Sequence, residues 1–236
     1  MDTQIWGPDG WRLLHSIAVN YPNNPTISMR KKYKCFFNSL EYVLPCIFCR
    51  QSFGEYITEL PVEPALINKK TLCTWLYRIH NRVNGKLRAQ NLNNRVDPDF
   101  ESIFEFYKNY LTEINKTNCM NMPGRLFIYS IIFNYPKKHD GVHTRRYIKH
   151  RVFLKNLAEI LPFKGVAILF KQYFRATDYQ LILQKRIYLQ RWFYKLEVQI
   201  QDYLKCTCLT YKQRCSEIEG LRAQCKKHTC RKLPPT

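Results

Sequence analysis

The sequence predicts an all-α protein, a small bundle of short helices followed by a second helical region, and three observations carry that prediction. Apolar residues recur at i, i+3, i+4 and i+7 along much of the chain, as on a helix that buries one face. Proline, glycine and Asn/Asp clusters fall between these stripes, where helices start and stop. No stretch alternates as a half-buried strand does, and no βαβ pattern surrounds a Cys-x-x-Cys, which discounts a thioredoxin-like fold.

Trp11, Leu14 and Ala18 form the first stripe, which stops before Pro22. Tyr33, Phe36, Phe37, Leu40 and Leu44 form the second, ending at Pro45. A third helix is expected from Pro45 or Cys46 to about Glu59, since proline is preorganised for a first helical turn and Pro61 follows. Thr71 is the expected cap of a fourth helix, with Leu72, Trp75, Leu76, Ile79 and Val83 on one face and an end at Gly85. A fifth opens at Asp97-Pro98 and carries Phe100, Ile103, Phe104, Tyr107 and Leu111. Five short helices with brief connections form a small bundle. Further helices are expected over about 145–160, 163–175, Thr177 to Lys205 with Thr177 as cap, and 210–227.

Composition bounds the rest. The 236 residues are 45% hydrophobic, enough for a packed core, and 8 Gly with 12 Pro exclude a disordered or repeat-rich chain. Residues 1–119 carry 15 Lys/Arg against 11 Asp/Glu, whereas residues 120–236 carry 23 against 7. This asymmetry, with the turn-like Asn118 to Gly124 stretch, sets an expected division into 1–118 and 119–236. The start of the chain lacks the basic and apolar regions of a secretory signal, and Asp2 and Asp9 argue against a transit peptide. The longest apolar run, Leu126 to Phe133, falls short of the roughly 20 residues of a membrane span. A soluble protein is expected.

Ten cysteines point to redox or metal chemistry, and two close pairs stand out, Cys46 with Cys49 and Cys206 with Cys208. Pro45-Cys46-Ile47-Phe48-Cys49 puts two thiols at i and i+3, on one face, at an expected helix N-terminus. Unpaired N–H groups and the positive end of the helix dipole there favour thiolates. By spacing alone the pair serves redox chemistry, half a zinc site or packing.

The context is Trp6-Gly7-Pro8-Asp9-Gly10-Trp11-Arg12-Leu13-Leu14-His15-Ser16, Tyr21-Pro22, the Pro45 to Cys49 motif, and Leu72 to Trp75 leading to His80-Asn81-Arg82-Val83-Asn84-Gly85-Lys86-Leu87. In that order and spacing, over about residues 5–112, it closely resembles the Erv/ALR family of flavin-linked sulfhydryl oxidases. The resemblance implies a four-helix bundle with a short fifth helix, often dimeric, with FAD in the bundle mouth. Gly7, Trp11, His15, Tyr21, Cys49, Trp75, His80, Asn81, Val83, Asn84 and Lys86 would then line the flavin, with His80 and Asn84 near the adenine. It also implies a catalytic pair in which Cys49 lies against the flavin and Cys46 is open to exchange. Electrons would pass from substrate protein thiols through the pair to FAD and then to oxygen, giving hydrogen peroxide.

The chain departs from the pattern where many cellular members carry a disulfide from the helix before the His-Asn pair to the next loop; Tyr77 and Asn94 stand there. The segment Arg88 to Arg95 and the region of Tyr107 also align poorly. This lean core with a basic helical half resembles the versions in large DNA viruses, which implies host cytoplasm or virion.

The second pair stays open among three readings. Cys206-Thr207-Cys208 is a candidate shuttle, because a disulfide across one residue is strained and readily passed on. Cys206, Cys208, Cys215, Cys225, His228 and Cys230 offer zinc ligands instead, and structural disulfides are the third reading. Cys35, Cys73 and Cys119 are expected as buried free thiols. The basic half permits nucleic-acid binding, although no zinc-finger or RNP motif supports it. The competing whole-chain reading is a zinc-stabilised basic nucleic-acid-binding or scaffold protein without enzyme activity.

Overall fold

The computed structural model describes residues 3–116, 123–137 and 144–220. The helices are α1 (Thr3–Val19), α2 (Ile27–Val43), α3 (Ile47–Glu59), α4 (Lys69–Ala89), α5 (Phe100–Lys116), α6 (Arg125–Phe133), α7 (Arg145–Ile160), α8 (Lys164–Arg175), α9 (Tyr179–Ile182), α10 (Arg186–Tyr203) and α11 (Tyr211–Gly220). A 3-10 turn, Glu63–Ala65, joins α3 to α4. Among the described residues there is no strand, so the protein is all-α.

Local chemistry explains the boundaries, including those that depart from the sequence expectation. Thr26 caps α2 by accepting from the Met29 N–H. The cap of α4 is Asn68, and Thr71 is its reciprocal partner three residues on, each side chain bonding the other's backbone N–H. Gly85 does not end α4, which continues to Ala89. There Asn91 turns the chain at φ 55°, a left-handed conformation that Asn tolerates. The apolar run from Leu126 to Phe133 forms α6, buried at every residue from Phe127 to Phe133, so it shows no exposed face and hence no helical periodicity.

The expected helix from Thr177 to Lys205 is broken. Thr177 ends α8 by donating to the Tyr173 carbonyl at 2.7 Å, and it accepts from Trp192 Nε1 at 2.8 Å. Asp178 is the cap of the short α9, and α10 starts afresh at Arg186. The expected extension of α11 to residue 227 lies outside the described residues.

α1 lies at the centre of the first bundle, packed against α4, α5 and α6. α2 packs on α3 and, along its length, on α7. That pairing is antiparallel: Lys32 meets Glu159 at 3.1 Å, the Phe36 and Phe153 rings stack with centroids 5.4 Å apart, and Tyr42 lies under Arg145 and Lys149. One contiguous core runs from Trp6 to Ile218. The expected boundary at 118/119 falls outside the described residues, and helices from both sides of it share this core.

Two polar devices join the sides. Asp9 in α1 accepts from the backbone N–H groups of Gly124, Leu126 and Phe127 at 3.0, 2.8 and 3.4 Å, capping α6 from more than a hundred residues away. Gly124 precedes α6 at φ +87°, and a Cβ there would lie 2.6 Å from Leu13 Cδ2, so both conformation and space require glycine. Farther out, the buried Glu197 of α10 bonds Arg125, Arg214 and Tyr129, as a carboxylate taken from water must.

Candidate active site

Cys46 is the N-cap of α3, in extended conformation, and Cys49 follows in the first turn. No disulfide joins them in this structure. A hydrogen bond from Cys49 outweighs burial and, with the Cys49 and Phe48 N–H groups and Arg50, pulls the Cys46 thiol down to about 6. The helix start thus adds to the bond from Cys49 through its open N–H groups. Cys46, expected as the member open to exchange, is only 6% exposed, whereas Cys49 is half-buried. The reason is positional: α2 ends immediately before it, and Val43, Leu44 and Pro45 are buried as well.

Cys49 lines a cavity of about 800 Å³ formed by α1, α3, α4, α5 and the loop between α4 and α5. Of the residues singled out in the sequence, Gly7, Trp11, Cys49, His80, Val83, Asn84 and Lys86 line it. His15 stands behind that wall: its Nε2 lies 3.1 Å from His80 Nδ1 and its ring stacks on Tyr107 at 4.3 Å. Trp11 stacks on His80 with centroids 3.8 Å apart. Burial, with the neighbouring His80, holds His15 well below the usual histidine range, and burial takes His80 down to about 4. At neutral pH both imidazoles are therefore neutral, and in their contact one ring nitrogen donates and the other accepts.

Tyr21 and Trp75 are not in the lining. Tyr21 donates to the Leu66 carbonyl at 3.0 Å, and Trp75 donates to the Leu60 carbonyl at 2.8 Å with its ring edge-on to Phe37. They hold the turn beneath α4. Asn81 is half-buried and also outside the lining.

The cavity adds residues that sequence reasoning did not select. Arg12, Phe53, Tyr56, Arg95, Asp97, Phe106, Tyr107 and Phe127 all reach it. Tyr107 sits on the apolar stripe of α5, a signal that marks burial without marking a site, and its neighbour Phe106 is exposed and off that stripe. Phe127 comes from α6, where nothing local announces it. Lys86 Nζ donates to Ser52 Oγ at 2.7 Å, tying α4 to α3 behind the cysteine pair.

The loop after α4 is held without a disulfide. Arg88 grips Asp97 with two bonds of 3.0 and 2.7 Å, Asn84 Nδ2 donates to the same carboxylate at 2.8 Å, and Tyr77 OH donates to the Pro98 carbonyl at 2.9 Å. The Arg88 bonds come first in holding the Asp97 carboxyl below its ordinary range.

These residues suit a flavin dinucleotide. The volume lies within the roughly 300–1,000 Å³ of small-molecule sites, the lining presents Trp11, Tyr56 and Tyr107 to a flat ring, and Arg12, Lys86 and Arg95 supply cations for a pyrophosphate.

The second pair sits between α10 and α11, both members free. Cys206 Sγ lies 3.3 Å from the Leu204 carbonyl. Burial first, then the carboxylate of Glu197, pushes the Cys208 thiol up, against its hydrogen bond from Tyr194. Among the described residues no group of three or more His, Cys, Asp or Glu is placed to hold a metal. Cys119, Cys225, His228 and Cys230 lie outside them. Among the described residues no helix is long and apolar enough to cross a membrane.

Comparison with known proteins bears on the same stretch. The family model described as Erv1 / Alr matches residues 8–105. A probable FAD-linked sulfhydryl oxidase of Acanthamoeba polyphaga mimivirus is 39% identical over 85 residues, covering 36% of this chain and 59% of that protein. The mitochondrial FAD-linked sulfhydryl oxidase of Saccharomyces cerevisiae is 37% identical over 87 residues, covering 37% of this chain and 45% of that protein. An FAD-linked sulfhydryl oxidase of African swine fever virus is 33% identical over 87 residues, 36% of this chain and 70% of that protein. The crystal structure of the yeast Erv1 core shows 31% identity over 46% of this chain and 86% of that one, with a TM-score of 0.41. The chain thus spans between about half and three fifths of the mimivirus and yeast relatives. On the match to the viral oxidase and the family model together, with the cysteine pair set beside the Trp11 and His80 wall, the chain belongs to the Erv1/Alr family.

Proposed function

We propose that this chain is an FAD-dependent sulfhydryl oxidase that forms disulfide bonds in protein substrates and reduces oxygen to hydrogen peroxide. The observation that carries the reading is the thiol pair at the start of α3, with Cys46 drawn down to about 6 and Cys49 in the wall of an aromatic and cationic cavity.

In the oxidised pair, a substrate thiolate attacks the Cys46 sulfur, the Cys46–Cys49 bond breaks, and Cys49 leaves as thiolate. A second substrate thiolate then attacks the substrate sulfur of the mixed disulfide, and Cys46 departs as thiolate. A low thiol pKa makes Cys46 a good leaving group in that second step. FAD, when bound, supplies the acceptor for the dithiol's two electrons and the route by which oxygen takes them with two protons. Trp11, His80, Val83 and Tyr107 would flank its ring system, and Arg12, Lys86 and Arg95 its phosphates.

The neutral His15–His80 contact adds no charge of its own beside the ring system. The segment 119–236 is read as the part that positions substrate, Cys206 and Cys208 as a candidate shuttle within it, and a homodimer as the assembly. By likeness to viral members, the host cytoplasm or virion is the proposed setting.

The test is direct. The purified protein should be yellow, with non-covalently bound flavin, and should consume oxygen when given dithiothreitol; a correctly folded, zinc-containing and colourless preparation would overturn the reading.

A further inference from the structure

The face beside Cys46 carries a charge pattern that the oxidase chemistry does not use. The antiparallel pairing of α2 and α7 runs from Lys32 with Glu159, through Phe36 with Phe153, to Tyr42 with Arg145 and Lys149. The first turns of α7 therefore lie at the level where α2 ends and Cys46 begins. Arg145 and Lys149 rest on the Tyr42 ring, 4.6 and 4.5 Å from its centroid.

Arg146, one residue on, donates to the Asn134 carbonyl at 2.9 Å, and Arg186 of α10 donates to the adjacent Tyr135 carbonyl. On the cysteine side, Arg50 donates to the carbonyl of Leu44 at 2.6 Å, two residues before Cys46. Besides burial, Arg50 and Arg186 are close enough to disfavour the charge on Arg146, and Arg50 also favours the Cys46 thiolate.

Five cations from α3, α7 and α10 thus gather around the end of α2, with Arg50 the one that acts on both Arg146 and Cys46. One carboxylate, Glu41, lies beside them against Tyr42. Among the described residues, Arg145, Arg146 and Lys149 form no ion pair. Arg145 is exposed and Lys149 half-buried, with its ammonium over a ring rather than a carboxylate. Arg145, Arg146 and Lys149, like charges on adjacent turns of one helix, repel one another, and an anionic partner offsets that repulsion.

We propose that the first turns of α7, with Arg50 and Arg186, form a docking face for an acidic polypeptide segment flanking the substrate's cysteines. The inference rests on the thiol-oxidase reading. Such a segment is recognised through complementary charge, which speeds encounter and aligns the sulfur with Cys46, while small dithiols have no use for it. The same cations stabilise the incoming thiolate as it approaches.

The experiment compares peptide dithiols with acidic, neutral and basic flanks on the full chain, together with dithiothreitol. At about 0.02 M salt the acidic peptide should have a kcat/KM roughly tenfold above the neutral one, collapsing towards it at about 0.3 M salt. Arg145→Glu combined with Lys149→Glu should remove that advantage and leave dithiothreitol oxidation within about twofold of the parent, since rim charges act on encounter. If the parent oxidises dithiothreitol but treats all three peptides alike at low salt, the docking face is refuted and the oxidase reading stands. If it oxidises no thiol at all, both fall. If the double variant weakens binding of an oligonucleotide of equal charge and leaves the acidic peptide's kcat/KM unchanged, the face serves nucleic acid and the proposal is wrong. Where the double variant proves unstable, the salt dependence of the parent's peptide preference decides alone.

Discussion

Replacing Asp9 by alanine tests how far the flavin-site bundle depends on the helices that follow it. The Asp9 carboxylate accepts three backbone N–H groups at the start of α6, at 3.0, 2.8 and 3.4 Å. Losing a capping side chain costs about 1 kcal/mol, and losing a negative charge at a helix N-terminus adds about 0.3–1 kcal/mol. Taken together, the loss is about 1.5 kcal/mol, and for a chain of this size each kcal/mol lowers the melting temperature by about 2–4 °C. Asp9→Ala should therefore melt about 3–6 °C below the parent. Asp9→Asn loses the charge and keeps only one of the two accepting oxygens, so its drop should lie between the parent and the alanine variant.

Because α6 carries Phe127 into the cavity wall, against Trp6 with ring centroids 5.7 Å apart, the alanine variant should also bind FAD more weakly. Differential scanning fluorimetry with and without added FAD reads both effects. An alanine variant that melts within about 1 °C of the parent, or an asparagine variant that loses as much as alanine, would refute the reasoning.

Other consequences follow from the cysteines. Cys46→Ser and Cys49→Ser should both abolish turnover, but only Cys46→Ser leaves a sulfur in the cavity wall, so only it should show a long-wavelength absorption band in the FAD-loaded protein. In the reduced protein, alkylation of Cys46 should rise with a midpoint near pH 6, against about 8.5 for a free cysteine. Because that folded-state pKa is lowered, the thiolate's contribution to stability is complete above the unfolded value and disappears as pH falls through about 6. A Cys46→Ser protein should therefore match the reduced parent in acid and fall behind it in base, as denaturation at several pH values will tell. Cys206→Ser and Cys208→Ser should spare dithiothreitol oxidation and slow only protein substrates; unchanged rates on reduced protein would remove the shuttle assignment.

The sequence was sufficient for whatever depends on near neighbours in the chain. Stripes such as Tyr33, Phe36, Phe37 and Leu40 predicted α2 because helical spacing alone decides which residues share a face. The N-terminal placement of Cys46 was readable from Pro45, and its lowered pKa follows first from the Cys49 thiol three residues on and then from the N–H groups of the helix start. It could not place a cap made from afar: Asp9 serves α6 across a segment with no local signature, and Thr71 yielded the cap to Asn68 because the two form a reciprocal pair. Fully buried α6 offered no periodicity, since a helix covered on all sides has no solvent face for polar residues to mark.

Tertiary packing alone decided the wall of the cavity. Trp11 and His80 lie far apart in sequence and stack because α1 packs on α4, whereas Trp75, on the same helix as His80, turns into the core and bonds the Leu60 carbonyl. The same packing buries Cys46 and lays α7 along α2, with Arg145 and Lys149 over Tyr42. Residue type and spacing thus specified which groups were present and on which helix face, and the docking of one helix on another specified which of them met.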